Sequence, residues 1–274
     1  MGTGGRSEAM VFRLPPCSHS RSRSVPPLLR PRGRGTIMLA IAVDLRDRLE
    51  NVRDQGRRPT CLAFATSAVH RSAQGHPSEL SPEWLYYHAT RRDGLRPDQG
   101  SSAEATCEVI SGEGQTDETF WPYQGRDADP RPYEPPGGRP AVVRCDTGLR
   151  NGDADRWRAD LGSGLPVVIT LLLSPAFYNP ALVIGAETIM PDDHAPIDPT
   201  LAHAVVLAGY GDLEGMSHFL IRNSWGPKWG AAGHAWLPET YLARRFAGAF
   251  VVQHGASDDV QSDGTRAHSR IRVG

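Results

Sequence analysis

Asn223-Ser224-Trp225-Gly226-Pro227-Lys228-Trp229-Gly230-Ala231-Ala232-Gly233 follows directly on the apolar run Phe219-Leu220-Ile221. Gly226 and Gly230 permit close backbone turns that a side chain would obstruct. Taken singly, each residue here has an ordinary explanation. An Asn at the end of a strand is usually turn chemistry. A Trp is usually core packing, which is the competing reading for Trp229. The weight lies in the fixed spacing of asparagine, two tryptophans and three glycines within eleven residues.

Upstream, His218-Phe219-Leu220-Ile221 and Ala204-Val205-Val206-Leu207-Ala208 read as strands, divided by Gly209-Tyr210-Gly211 and a polar turn. Residues 165–173 and 247–252 supply two more strands, and residues 174–200 read as a long irregular loop. The first half of the chain has a different texture. Residues 60–70 place Phe64, Ala65, Ala68 and Val69 at helical spacing behind Thr60 as N-cap. Ser81-Pro82 opens a second helix, and a third runs from Ser102 to about Ser111, where Gly112 and Gly114 stop it. Residues 125–140 form a connecting loop. Helices first and strands after predict an α+β fold with two segregated lobes.

Cys61 follows Thr60 at the head of the first helix, where the macrodipole and unpaired N–H groups favour a thiolate. The bland alternative is a small buried hydrophobe. His203 stands at the start of an apolar strand, where a lone histidine is more often structural. Gln55 lies six residues before Cys61, and His203 lies 142 residues after it.

Together these residues resemble the papain-like cysteine peptidases. In that family a Gln lies six residues before the nucleophilic Cys, the His follows roughly 130–150 residues later, and an Asn opens the N-S-W-G-x-x-W-G-x-x-G segment. The match covers about residues 40–253, and Leu80-Ser81-Pro82-Glu83 and Gly209-Tyr210-Gly211 also look like family segments. The resemblance implies a two-lobe fold, a helical lobe over about 55–135 and an antiparallel β lobe over about 136–253, with the cleft between them. It implies that Cys61 is the nucleophile and His203 its thiolate–imidazolium partner and proton donor. Asn223 would orient the imidazole, and Gln55 with the Cys61 N–H would form the oxyanion hole. Trp225 would shield the His203–Asn223 bond from water, Trp229 would line the leaving-group side, and Gly100, Ser101 and Ala204 would contact substrate.

The chain departs from the family pattern around the nucleophile, which reads Arg58-Pro59-Thr60-Cys61-Leu62. Arg58 replaces a cysteine that forms a disulfide in secreted members, and Leu62 replaces a Trp. Ala202 precedes the His in place of the frequent Asp or Gly. The inhibitory helical pro-segment of zymogens is not expected within residues 1–37.

The 274 residues carry a net charge of -1, with 39% hydrophobic and 22% charged positions, which excludes a fully disordered or collagen-like chain. The overall charge gives no drive towards nucleic acid, and no apolar stretch is long enough to span a membrane. Residues 1–37 are rich in Arg, Pro and Ser and predict a disordered tail, with Met38 as the alternative start; residues 254–274 predict a second tail. Four dispersed cysteines and no secretory apolar stretch predict a cytoplasmic protein. No metal or cofactor is expected; Asp192-Asp193-His194 reads as an acidic surface loop. The expected partner is a peptide or protein substrate, and the oligomeric state is left open. The expected activity is peptide-bond hydrolysis. The alternatives are a catalytically silent binding module of the same fold and acyl transfer to an amine by the same residues.

Overall fold

The computed structural model describes residues 38–125, 133–180 and 182–254. The tail over 1–37, most of the tail over 254–274 and part of the 125–140 connection lie outside the described residues. In chain order come β1 (Leu39–Asp44), a 3-10 turn at Arg46–Arg48, α1 (Cys61–Gln74), α2 (Pro82–Asp93) and α3 (Ala103–Ser111). There follow β2 (Asp146–Arg150), α4 (Ala154–Gly162), β3 (Val167–Leu172), α5 (Pro175–Tyr178), β4 (Leu182–Ile184) and β5 (Glu187–Ile189). The chain continues through β6 (Ala202–Leu213), β7 (Met216–Arg222), β8 (His234–Pro238), α6 (Glu239–Arg245) and β9 (Phe246–Gln253).

The strands form one sheet in the order β2-β9-β3-β6-β7-β8-β5-β4, with β1 paired to β6 off that path. The pairings are antiparallel except β5 with β8. Alternation along the central strands separates two cores, because successive side chains point to opposite faces. Val168, Ala204, Val206, Leu220, Trp236 and Phe250 join the cluster shared with α1, α2 and α3. Val167, Ile169, Val205, Leu207, Phe219 and Ile221 join the other, with Trp157 and Leu161 of α4 and Tyr241 and Leu242 of α6. Both faces are covered, so the strands read as unbroken apolar runs. The α+β expectation holds.

Several local expectations are corrected. Gly209-Tyr210-Gly211 is not a turn. These residues lie inside β6, beyond a register shift between Leu207 and Gly209, and pair with both β1 and β7. Gly209 is required there because an added Cβ would run into the Val43 carbonyl of β1. The turn comes at Glu214-Gly215. Residues 174–200 are not uniformly irregular, since they contain α5 and the β4–β5 hairpin. Thr60 occupies the N-cap position of α1 without a side-chain cap bond. Its hydroxyl instead meets the Tyr123 hydroxyl at 2.9 Å. Ser81 and Ser102 do cap their helices, accepting from Trp84 N and Ala105 N at 3.0 Å.

Candidate active site

Two of the sequence segments meet as a short antiparallel bridge. Asp54 pairs with Trp225, Gln55 N–H donates to Ser224 O at 2.8 Å, and Gly226 N–H donates to Arg53 O at 3.2 Å. The side chains lock the same contact, because Ser224 Oγ donates to Gln55 Oε1 at 2.5 Å. Gln55 Nε2 donates to Arg58 O at 2.9 Å. An amide nitrogen carries two N–H groups, so one remains for a ligand. Gln55 is completely buried.

His203 and Asn223 stand on β6 and just beyond β7, neighbouring strands of the sheet. His203 Nε2 lies 2.8 Å from Asn223 Oδ1. The same oxygen accepts the Ser224 backbone N–H at 2.8 Å, which identifies that atom as the amide oxygen. An oxygen that only accepts requires the proton on His203 Nε2, so the neutral ring presents Nδ1 as its free base. Among the described residues Nδ1 has no hydrogen-bond partner. Trp225 lies across the imidazole with ring centroids 4.7 Å apart, and Tyr178 stacks on Trp225 at 5.3 Å. Phe177 closes another side at 5.8 Å.

Cys61 begins α1, and the backbone N–H groups of Ala204, Leu62 and Cys61 itself act on its sulfur in favour of the anion. Cys61 and Ala204, the residue after His203, lie in one buried cluster. Burial pushes the thiol up to about 11 against those donors, and burial pulls the His203 imidazole down to about 4 against its bond to Asn223. Burial thus works against the expected thiolate–imidazolium pair. The helix start and the backbone donors do favour the anion, but removal from water costs more.

The remaining predicted residues are placed as follows. Ala204 shares a buried cluster with Cys61 and pairs with Thr170 of β3. Trp229 is core-packed, and its indole N–H donates to Phe177 O at 3.0 Å, so it holds α5 beside the imidazole. Gly100 and Ser101 are buried, and the Gly100 N–H is committed to the Tyr86 hydroxyl at 3.1 Å. Asp192 accepts from Thr240 Oγ1 at 2.7 Å and pairs with Arg244, while Asp193 accepts the Ala195 N–H at 2.8 Å. Among the described residues no group of three or more His, Cys, Asp or Glu could hold a metal ion. No described helix is long and apolar enough to cross a membrane.

Sequence reasoning missed the residues behind the site. Arg58 and Glu83 form a buried ion pair beside Tyr123 and Tyr133. The available signal was Arg58, a charged residue only three positions before Cys61.

An α+β architecture with a cysteine heading a helix, packed on neighbouring strands that bring a His and an Asn together, defines the papain-like fold. Residues 39–241 match the model of the papain family cysteine proteases, and the chain belongs to that family. It is 28% identical to mouse (Mus musculus) cathepsin K over 237 residues, which covers 82% of this chain and 66% of that protein. It is 27% identical to oryzain gamma chain of Oryza sativa subsp. japonica over 188 residues, which covers 67% of this chain and 50% of that protein. The chain thus spans between half and two thirds of the length of these relatives. Among solved structures, xylellain, a cysteine protease from Xylella fastidiosa, superposes with a TM-score of 0.66 at 23% identity, covering 93% of this chain and 99% of that one.

Proposed function

We propose that this protein is a thiol peptidase that cleaves peptide bonds through Cys61, His203, Asn223 and Gln55. The observation that carries this reading is the 2.8 Å bond from His203 Nε2 to Asn223 Oδ1, which leaves Nδ1 free on the strand that packs against α1, the helix headed by Cys61. Family membership and all four matching residues support it.

In this reading the Cys61 S–H proton passes to His203 Nδ1 as the sulfur bonds to the scissile carbonyl carbon. The carbonyl electron pair moves to oxygen, which takes hydrogen bonds from Gln55 Nε2 and the Cys61 N–H. Collapse breaks the C–N bond, and the leaving amine takes the proton from His203. Water, deprotonated by the same nitrogen, then hydrolyses the thioester. Because the sulfur and imidazole are buried, turnover includes an opening step that admits the peptide. Among the described residues Cys61, Cys107 and Cys145 are buried and form no disulfide, which supports our proposal of a reducing compartment.

Cleavage of a fluorogenic peptide library, with product masses recorded with and without an added amine, tests the activity and separates hydrolysis from acyl transfer. Asn223→Ala should lower kcat by about 10–100-fold without abolishing it, because the imidazole loses its orienting partner but keeps its base. Wild-type turnover in that variant would contradict the role given to Asn223.

A further inference from the structure

We infer that the buried Arg58–Glu83 pair, caged by tyrosines, positions the loop that carries Gln55 and Cys61 and so sets the geometry of the oxyanion donors; this rests on the peptidase reading above. The Arg58 fork meets the Glu83 carboxylate at 2.6 and 2.8 Å, and both residues are almost completely buried. Glu83 also accepts the Gln124 N–H at 2.8 Å and the Tyr133 hydroxyl at 2.5 Å. The guanidinium lies 5.2 Å from the ring centroid of Tyr123 and 5.5 Å from those of Tyr86 and Tyr133.

The other end of Arg58 acts on the site. Its carbonyl accepts Gln55 Nε2 at 2.9 Å and the Thr60 N–H at 2.8 Å. Tyr123, part of the cage, donates its hydroxyl to Gln55 O at 2.6 Å and meets Thr60 Oγ1 at 2.9 Å. Thr60 O in turn accepts the first helical bond of α1, from Phe64 N at 3.0 Å. Fixing the guanidinium therefore fixes the carbonyl that orients the Gln55 amide and the residue that precedes Cys61. A bidentate Arg–carboxylate pair restricts direction as well as distance. Stability alone is a weak reason for such a pair, since well-packed apolar residues often replace a buried ion pair without loss. A positioning role accounts for its link to the site loop.

The test replaces both partners together, Arg58→Met/Glu83→Leu, so that no buried charge is left unpaired. The expected result with a fluorogenic peptide is a kcat lowered about 10–100-fold with KM within about twofold. Alkylation of Cys61 by iodoacetamide should stay within about twofold of wild type, because that reaction builds no oxyanion. On a Gln55→Ala background the same double replacement should lower kcat by less than about threefold, since its effect runs through Gln55. An unchanged kcat, the full loss on the Gln55→Ala background, or a parallel fall in alkylation would each overturn the inference. Should the double variant not fold, Tyr123→Phe carries the test: kcat should fall about threefold to tenfold with KM kept, and an unchanged kcat overturns it. A separate outcome, Cys61→Ala retaining the wild-type rate, would overturn the peptidase reading itself.

Discussion

His203→Ala lowers peptide turnover by at least about 10³-fold while the circular dichroism spectrum keeps its native form. The size of the effect follows from using one nitrogen twice. In the proposed cycle Nδ1 takes the thiol proton during attack and returns it to the leaving amine, and a positioned acid or base contributes roughly 10²–10⁴. Asn223, the bonded neighbour of the lost imidazole, cannot substitute, because its side-chain amide neither takes up nor releases a proton near neutral pH. The thiol stands up at about 11, so few molecules ionise at neutral pH without a base. The variant keeps the sheet pairing of β6, so loss of rate without loss of fold is the expected combination. Steady-state kinetics beside a thermal melt measures both, and turnover within tenfold of wild type would remove His203 from the mechanism.

Acidification from pH 7 to about 4.5 unfolds the protein. His70, His203 and His234 are buried, and burial is the main cause that draws each down to about 4. Each has one ring nitrogen in a hydrogen bond, to Gln115 Oε1, Asn223 Oδ1 and Ala232 O respectively. The other nitrogen of each has no partner among the described residues, so protonation would bury an uncompensated cation. The folded value lies below the unfolded one, so the unfolded state binds more protons between the two and stability rises with pH. Stability is therefore present in full above about 6.5 and is lost as pH falls towards 4. The loss is about 3 kcal/mol for each histidine at the lower limit, against a typical net stability of 5–15 kcal/mol. Asp44 and Asp192, held below the usual carboxylate range, add the same sign near the acid end, whereas Glu50 and Glu118, raised by burial, oppose it. Urea unfolding at pH 7, 5.5 and 4.5 should show the midpoint collapsing across that window. A constant midpoint down to pH 4 would contradict this account of the three histidines.

The site was legible in the sequence where chemistry dictates residue type. In the proposed cycle Gln55, Cys61, His203 and Asn223 each take a role that few side chains can fill, and their spacing in the sequence does not depend on what packs around them. The alternating core faces of β3, β6 and β7 were legible only as apolar runs, because covering both faces erases the period of two. Gly209 misled for a physical reason. Glycine serves equally at turns and where two backbones approach closely, and here the neighbouring strand β1 lies far away in the chain. The Arg58–Glu83 pair was invisible because its partners are 25 residues apart and nothing local demands that they meet. The burial that works against a Cys61 thiolate was not legible, because a helix start can be seen in sequence whereas burial depends on strands contributed some 140 residues later.

The most direct measurement of the central claim is labelling with a thiol-directed epoxysuccinyl reagent, followed by peptide mapping, on wild type and His203→Ala. The account predicts that Cys61 is modified at least about tenfold faster than Cys107, Cys145 or Cys17 in wild type, and that this preference disappears without His203. Equal labelling of the four cysteines, or a preference for Cys61 that survives His203→Ala, would contradict it.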